Sequence, residues 1–462
     1  MFARDHKTSS QQSIVKGDML HPFSSVDQMS AQGSRIMKRA EGVRLWDGLG
    51  NEYIDSAASL WCVNVGYGRT EIIDAMARQG YDLPFYHSFN GMGNEPALAL
   101  TDKILSLAPG NMRKVFFGSS GSDANDTTAK IVWYYNNLRG KPDKKKLISR
   151  WRSYHGVAGA AGSLTGLSVV HKLFDLPGER FFHVSAPDLY REPERDAQSY
   201  ADELDALIRR EGPETVAAFW AEPVMGTGGV LTPPDGYFEA IKSVLDEHDI
   251  LLVFDEVITG YGRLGEWFGA QHFNVAPDLI VTAKGLTSLY APLSAVLVGD
   301  KVWNIIDEQR QEVGVFGHGF TSTAHPISAA AGLANLRIIE EEGLVEQAGA
   351  AGRRFFTMLK SAVGDHPLVG DVRAGGFMAG VELVAERSSA TPFPVDLGVS
   401  GRVREAAMKQ GLLVRALTND VIAFSPPFNT DETDMKLITD RFAATLDVMY
   451  DHLKSEGHLK GW

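Results

Sequence analysis

The stretch from Ile250 to Val298 constrains the fold more than any other part of the chain. It contains three apolar runs, each about as long as a buried strand: ILLVF, DLIVTA and LSAVLV. A carboxylate, Asp255, follows the first run, and a lysine, Lys284, follows the second. A charged side chain at the end of a buried run is costly unless it is paired or used. Two such groups of opposite sign on neighbouring runs therefore indicate a functional site.

Similar apolar runs alternate with helical patterns from about residue 95 onward. This alternation predicts an α/β fold, with a mostly parallel sheet covered by helices on both faces. An alanine-rich helix from Ile327 to Glu341 leads into a C-terminal part with mixed helices and strands. We predict three segments: 1–75, an N-terminal segment of a small domain; 76–332, a large domain; and 333–462, the C-terminal part of the small α+β domain.

The composition of the 462 residues is that of an ordinary globular protein, with 44% apolar and 22% charged residues. The formal net charge of −13 argues against a nucleic-acid or membrane surface, because both reward basic patches. The single cysteine, Cys62, excludes an intrachain disulfide and fits a reducing compartment. The N-terminus has no apolar signal region, and no run is long enough to span a membrane. We therefore expect a cytoplasmic protein.

A small polar turn at 118–123 precedes a predicted helix. Backbone N–H groups at the start of a helix bind phosphate well, and Ser120, Gly121 and Ser122 fit that role. The turn is neither a P-loop nor a GxGxxG motif. The same residue types also cap many helices that bind nothing.

Further polar residues follow the other predicted strands. Tyr154-His155-Gly156 offers an aromatic ring that could stack on a flat ligand, although a core tyrosine explains it equally well. Glu222 and Asp255 end consecutive strands, where α/β sheets bind ligands, although helix caps and Mg²⁺ ligands are also acidic. Lys284 distinguishes these readings, because desolvation lowers the pKa of a lysine and makes its neutral amine nucleophilic.

A phosphate cradle, a stacking aromatic, an acid and a lysine, in this order, indicate a pyridoxal 5′-phosphate site without a metal ion. The chain resembles the class III aminotransferases of the fold-type-I pyridoxal-phosphate superfamily over nearly its whole length. The resemblance is carried by GSSGSDAN (118–125), YHG (154–156), EPV (222–224), FDEVITGYGRLG (254–265), DLIVTAKGL (278–286) and GFTSTAHP (319–326). It implies a mostly parallel seven-stranded sheet sandwiched by helices, plus a smaller domain built from both termini.

The resemblance also implies residue roles. Lys284 forms a Schiff base with the cofactor and moves the substrate proton, and Asp255 bonds the ring nitrogen. Tyr154 and Val257 cover the two ring faces, and the 120–122 turn holds the phosphate. The cofactor site also includes His155, Glu222 and Phe320, while Thr321 reaches across from a partner subunit. This last role requires a homodimer, and a tetramer stays open. Asp123 departs from the glutamate that is common in the family.

Other segments resemble the omega-amino acid:pyruvate aminotransferases, also called amine transaminases. In that subgroup Phe23, Trp61, Phe89 and Tyr154 form an aromatic pocket. Arg415, on a loop after a strand at 412–415, binds the carboxylate of the keto acid. The implied reaction is a ping-pong transfer from an amine or omega-amino acid to pyruvate.

Several alternatives stay open. A 2-oxoglutarate-dependent ornithine or 4-aminobutyrate aminotransferase, a decarboxylase or an aminomutase would share the cofactor frame. A non-catalytic binding protein could retain the fold. Arg415 could instead pair with a surface acid, and the aromatic residues could be plain core. A nucleotide-dependent dehydrogenase is disfavoured, because no strand–GxGxxG–helix unit occurs.

Overall fold

The structure is a computed structural model that describes residues 14, 15, 17 and 19–459. The outermost parts of the two predicted terminal segments, 1–13 and 460–462, lie outside the described residues. The strands are β1 Ile14–Val15, β2 Ser34–Arg35, β3 Met37–Glu41, β4 Arg44–Asp47, β5 Glu52–Asp55, β6 Met112–Gly118, β7 Lys146–Arg150, β8 Phe181–Val184, β9 Val216–Ala221, β10 Leu251–Asp255, β11 Leu279–Thr282, β12 Ser294–Gly299, β13 Val369–Ala374, β14 Ala379–Leu383, β15 Leu412–Leu413, β16 Arg415–Ala416 and β17 Val421–Phe424.

The helices lie between and after these strands. They are α1 Val26–Gln32, α2 Ala58–Trp61, α3 Thr70–Asp82, α4 Glu95–Leu107, α5 Gly121–Leu138, α6 Gly159–Leu164, α7 Ser168–His171, α8 Ala197–Glu211, α9 Tyr237–Glu247, α10 Gly269–His272, α11 Asp300–Glu308, α12 Arg310–Val313, α13 Pro326–Glu341, α14 Leu344–Val363, α15 Val399–Lys409 and α16 Glu432–Ser455. Short 3₁₀ helices cover Phe89–Gly91, Pro213–Thr215, Lys284–Leu286 and Val395–Leu397. No helix in the described part of the chain is long and apolar enough to cross a membrane.

The central sheet has seven strands in the order β6-β12-β11-β10-β9-β7-β8. Only β12 runs against its neighbours β11 and β6, so the predicted mostly parallel sheet is confirmed. Alternate residues of β10 enter different core clusters: Leu252 and Phe254 one, Leu251 and Val253 the other. Side chains of a strand alternate between its two faces. The sheet is therefore buried on both faces, which explains why its strands read as unbroken apolar runs.

The parallel strands end at one edge of this sheet, where the site residues follow them. Asp255 is the last residue of β10 and lies beside Val281 of β11, and Phe254 lies beside Ala221 of β9. The residues after these strands, Glu222 among them, therefore emerge side by side. This register brings segments that are far apart in the sequence to one crevice.

Two four-stranded sheets make up the strands of the smaller part, in the orders β15-β5-β4-β3 and β13-β14-β17-β16. In the first, β15 pairs in parallel with β5, so both ends of the chain contribute to one sheet. This agrees with a small α+β unit built from both termini, while the boundaries 1–75, 76–332 and 333–462 stay predictions.

The predicted single strand at 412–415 is wrong in one respect. Leu412 and Leu413 pair with β5, whereas Arg415 and Ala416 pair with β17 of the other sheet. The chain changes sheets at Val414. Arg415 consequently lies on a short strand and not on a loop. The sequence prediction missed this, because alternating polarity does not report which sheet a strand joins.

Candidate active site

A cavity of about 350 Å³ lies at the carboxyl edge of the central sheet. It is lined by nine of the residues predicted for the cofactor site: Ser120, Gly121, Ser122, Tyr154, His155, Glu222, Asp255, Val257 and Lys284. The rest of its wall includes Val224, Ile258, Leu289, Pro292 and Leu293, which are apolar. The structure therefore brings together most of the residues that the sequence singled out.

The polar turn before α5 is the start of a capped helix. Ser120 is the N-cap, its side chain accepts from the backbone N–H of Asp123, and the Asp123 carboxylate accepts from the N–H of Ser119 and Ser120. The shorter acid thus closes the capping box that glutamate usually forms. The N–H groups of Gly121 and Ser122 in the first turn have no intrahelical acceptor, so they are available to an anion.

Two glycines let this turn pack against neighbouring loops. A Cβ on Gly121 would lie 3.1 Å from a methyl group of Val257. Gly156 has a φ of +119°, and a Cβ there would lie 2.8 Å from the Cα of Ser122. A larger residue at position 156 would be strained and would also displace the phosphate turn.

Asp255 is almost fully buried, and its carboxylate is held from three sides. Oδ2 accepts from Asn125 Nδ2 at 2.8 Å and lies 2.8 Å from His155 Nδ1, and Oδ1 accepts from the N–H of Val257 at 3.1 Å. Asn125 Oδ1 in turn accepts from the indole N–H of Trp220. These contacts fix the direction in which the carboxylate faces the cavity.

Asn125 has no role in the sequence prediction, although it belongs to a quoted motif. It follows Ser122 by three residues, and on a helix that spacing places both side chains on one face. The spacing was therefore a signal that could have placed Asn125 at the cavity.

Glu222 holds the segment that carries Tyr154. Its carboxylate accepts from the N–H of Tyr154 at 3.0 Å and from the N–H of Gly226 at 2.9 Å. Burial raises the pKa of Glu222, and the nearby charge of Asp255 raises it further. Glu222 therefore positions two loops of the cavity wall and does not face outward as a surface acid.

Lys284 lies just after β11, on a 3₁₀ turn that is held by hydrogen bonds from α13. Asn335 of α13 donates to the carbonyl oxygens of Gly285 and Leu286 at 2.8 and 3.0 Å. Burial lowers the pKa of the Lys284 amine, while Cys62, Asp255 and Glu222 oppose this shift. No hydrogen bond or salt bridge joins Nζ to another residue in the described ranges. An unpaired amine with a lowered pKa in such a cavity is suited to act as a nucleophile.

Trp61 lies behind the apolar wall of the cavity. It packs in one cluster with Val224 and Ile258, and its ring centre lies 5.7 Å from Lys284 Nζ. Phe23 lies further out, 68% exposed, with its ring centre 6.3 Å from that of Tyr154 in an edge-on contact. The aromatic residues predicted for the substrate pocket thus differ in depth.

Arg415 lies close enough to the site for its charge to lower the pKa of Lys284. Its own pKa is lowered, first by burial and then by the charge of Arg404. Among the residues that the structure describes, no acid forms a salt bridge with it and no acceptor receives a hydrogen bond from it. The alternative that Arg415 pairs with a surface acid is therefore wrong for the described chain.

Six predicted residues do not line this cavity within one chain: Phe23, Trp61 and Arg415, described above, and Phe89, Phe320 and Thr321. Phe89 lies over Gly319 and borders a second groove of about 730 Å³, together with Phe316 and Met92. Phe320 packs its ring against Phe116 and His318. Thr321 is exposed.

The residues of the cavity fit pyridoxal 5′-phosphate. The N-terminus of α5 offers N–H groups and hydroxyls to a phosphate, and Lys284 offers an unpaired amine to an aldehyde. Asp255, held by Asn125 and His155, offers a fixed negative charge to a ring nitrogen. Tyr154 and Val257, which are predicted to cover the ring faces, line the same cavity. The volume is that of a small-ligand pocket.

Known proteins agree with this geometry. Residues 26–446 match the family model of class-III aminotransferases. The chain is 45% identical to the diaminobutyrate–2-oxoglutarate transaminase of Halomonas elongata, covering 92% of this chain and 93% of that one. It is 41% identical to the putrescine–pyruvate aminotransferase of Pseudomonas aeruginosa, covering 94% and 95%.

A solved structure gives the same result. The omega transaminase from Pseudomonas jessenii, solved in complex with PMP, matches with a TM-score of 0.91 and 42% identity, covering 95% of this chain and 97% of that one. The fold, the lysine-bearing cavity and these matches together show that the chain belongs to the class III aminotransferases, which use pyridoxal phosphate.

Proposed function

We propose that this aminotransferase moves an amino group from an amine or omega-amino acid to pyruvate, giving an aldehyde or ketone and alanine. The observation that carries the proposal is Arg415, a guanidinium beside the site without an acid partner among the described residues. A guanidinium binds a carboxylate through two parallel hydrogen bonds. Among the residues that the structure describes, no arginine lines the cavity itself. One such cation suits a keto acid with one carboxylate better than a dicarboxylic acid.

Bound pyridoxal phosphate supplies an electron sink for the carbon that carries the amino group. The chain supplies the proton transfer and the orientation. We assign to the amine of Lys284 the removal of the proton from that carbon of the donor in the first half of the reaction, and the delivery of a proton to the corresponding carbon of the keto acid in the second half. Asp255 would keep the ring nitrogen protonated, Tyr154 and Val257 would pack against the two faces of the ring, and Ser120, Gly121 and Ser122 would hold the phosphate.

The apolar wall supports an amine as donor. Val224, Ile258 and Leu293 line the cavity, and Trp61 and Phe23 extend this surface. An alkyl or aryl group would gain free energy here by leaving water. We assign Phe23, Trp61 and Tyr154 to the donor pocket, with Arg415 serving the keto acid in the second half of the reaction.

A panel of acceptors and donors tests this proposal. Purified enzyme is mixed with arylalkyl amines, diamines or omega-amino acids, and with pyruvate or 2-oxoglutarate as acceptor, and the product amino acid is measured. We expect the larger kcat/KM for pyruvate. Faster use of 2-oxoglutarate would instead support the ornithine or 4-aminobutyrate type of activity.

The Lys284→Ala variant is the control for the chemistry. We expect it to lose both transamination and the visible absorbance that the cofactor gains when it is bonded to the lysine, while its thermal unfolding stays close to that of the wild type. Transamination at the wild-type rate in this variant would contradict the role of Lys284.

We further propose that the enzyme is a homodimer with shared sites. Ser120 is exposed in the single chain, so the phosphate end of the cavity is open. The groove beside it carries exposed apolar residues, among them Phe89, Met92 and Val315. A second copy would cover this groove and close the open end. Because the Phe89 ring lies over Gly319, a partner that receives Thr321 would receive Phe89 and Phe320 with it.

A further inference from the structure

The turn that carries Trp61 has an unusual backbone. Ala58, Ser59 and Trp61 have φ angles of +42°, +60° and +62°. Inside α2, Ser59 and Leu60 depart from helical geometry, so this segment is a kinked turn. Residues other than glycine persist in the left-handed region only where their surroundings hold them there. Something outside the turn must therefore fix it.

Asp55 supplies that restraint. It is the last residue of β5 and 1% exposed. Its Oδ1 accepts from the N–H of Ala57 at 2.9 Å, and its Oδ2 accepts from the N–H of Ser59 at 2.7 Å and from the hydroxyl of Tyr67 at 2.7 Å. No salt bridge in the described chain involves this carboxylate. The carboxylate therefore accepts its hydrogen bonds from the backbone of the turn and from the hydroxyl of Tyr67.

The indole ring packs against Val224 and Ile258, but no hydrogen bond among the described residues holds it in place. Trp61 Nε1 is buried and has no hydrogen-bond partner among the described residues. The ring presses instead on Gly226, where a Cβ would lie 1.9 Å from a ring carbon. The position of the ring therefore follows from the backbone turn on one side and from the bare backbone of Gly226 on the other.

The end of β5 also contacts the segment that leads to Arg415. Ser56 follows Asp55 and donates both its N–H and its hydroxyl to the carbonyl oxygen of Leu413, at 3.1 and 2.6 Å. Leu413 is two residues before Arg415. The end of β5 is thus tied to the segments that carry Trp61 and Arg415.

We propose that Asp55 is a positioning residue that sets the size of the amine accepted, by holding the left-handed turn that presents the Trp61 ring to the donor pocket. This inference rests on the proposed function, in which Trp61 faces the amine. Asp55 does not touch the substrate or the cofactor. Its loss releases the ring and opens space beside Lys284.

The test compares two donors that differ by one methylene, 1-phenylethylamine and 1-phenylpropylamine, with pyruvate as acceptor. Trp61→Ala defines the effect of removing the ring. We expect Asp55→Asn to raise the ratio of kcat/KM for the larger donor over the smaller one by about tenfold, in the same direction as W61A. Tyr67→Phe, which removes one donor and keeps the carboxylate, should shift the ratio by about threefold.

Asp47 provides a matched control. It is also a buried carboxylate, and it accepts from the N–H of Leu49 and Asn51, from the Asn51 amide and from the hydroxyl of Tyr53, but it serves the β4–β5 hairpin. Asp47→Asn should lower the melting temperature and leave the donor ratio unchanged. In the W61A background, D55N should have no further effect on the ratio.

A second measurement does not depend on turnover. The near-ultraviolet circular dichroism of Trp61 is obtained as the difference between wild type and W61F, and again between D55N and D55N/W61F. A rigid indole gives a strong signal, so we expect this difference to shrink in the D55N pair. An unchanged difference spectrum would contradict the release of the ring.

The outcomes separate the two proposals. If W61A changes the donor ratio and D55N does not, only the role of Asp55 is overturned. The same holds if the effect of D55N on the ratio adds fully to that of W61A in the double variant. An unchanged ratio in W61A overturns the donor pocket as well. If D55N yields no folded protein, Y67F takes its place, and an unchanged ratio in Y67F then overturns the inference.

Discussion

At the scale of single residues, some ionisable side chains of the site have hydrogen-bond partners, and others have none among the described residues. Asp255 is held by Asn125, His155 and a backbone N–H, so its direction is fixed before any ligand binds. Lys284 and Arg415 have no polar partner among the described side chains. Preorganised groups of this kind need no rearrangement during the reaction. The Lys284 amine and the Arg415 guanidinium are therefore available to groups that the cofactor and the substrates bring.

Arg415→Ala should weaken the use of pyruvate far more than the use of a simple aldehyde acceptor. Removing one member of a buried charge pair costs about 2–5 kcal/mol, or roughly thirtyfold or more in kcat/KM. Arg404→Ala is the control, because Arg404 carries the same charge nearby but is paired with Glu405. Equal losses for both acceptors would remove Arg415 from the carboxylate role.

At the scale of elements, the loop from Glu256 to Ala270 is held by one buried carboxylate. Glu256 accepts from the N–H groups of Gly269 and Ala270 at the start of α10 and from the hydroxyl of Thr259. Burial raises the pKa of Glu256 from 4.5 to about 7, although these hydrogen bonds oppose the shift. The loop next to Asp255 therefore contains a carboxyl group that titrates near neutral pH.

The raised pKa predicts a pH dependence of stability. The folded protein binds this proton more tightly than the unfolded chain, so the contribution is present below pH 4.5 and is lost as the pH rises through 7. Relative to Glu256→Gln, the wild type should lose on the order of 3 kcal/mol of unfolding free energy across that window. Urea unfolding at several pH values measures this difference.

Glu266→Gln is the matched variant, because it removes the same charge from an exposed position of the same loop. It should keep the wild-type pH slope. A slope in E256Q equal to that of the wild type would contradict the assignment of the titration to Glu256.

The sequence predicted most of the central sheet, because buried parallel strands are unbroken apolar runs. The three apolar runs between Ile250 and Val298 correspond to β10, β11 and β12. It did not separate β15 from β16, since a two-residue strand carries no pattern of its own. Nor did it assign roles to Asn125 or Asp55. The spacing from Ser122 could place Asn125 at the cavity but not identify its distant partners Asp255 and Trp220, and no residue pattern reports the left-handed turn that Asp55 holds.

At the scale of the whole molecule, we ask which of two phosphate sites Thr321 completes, that of its own chain or that of a partner subunit. Its neighbour Ser322 lies 3.2 Å from Ser119 of the same chain, measured between the hydroxyl oxygens. Thr321 could therefore serve the phosphate site of its own chain. In the proposed dimer it serves the partner subunit instead. Mixed dimers distinguish the two arrangements.

Two inactive or weakened variants, Lys284→Ala and Thr321→Ala, are given different tags, coexpressed and purified as a heterodimer. If Thr321 acts across the interface, one site of this heterodimer has both residues intact. It should then bind pyridoxal phosphate as tightly as a wild-type site and regain activity. If Thr321 acts within its own chain, neither site is intact, and activity above that of the T321A homodimer would not appear.

The one antiparallel strand of the central sheet has a consequence for synthesis on the ribosome. The phosphate turn follows β6, which is an edge strand and pairs only with β12. Ser294, at the start of β12, also donates its hydroxyl to Asp123 at the base of that turn. A nascent chain that ends before residue 294 therefore holds β6 without its pairing strand. We expect the cofactor to stabilise the emerging chain only after β12 has left the exit tunnel. Until then, the part of the chain already synthesised must remain soluble without bound cofactor.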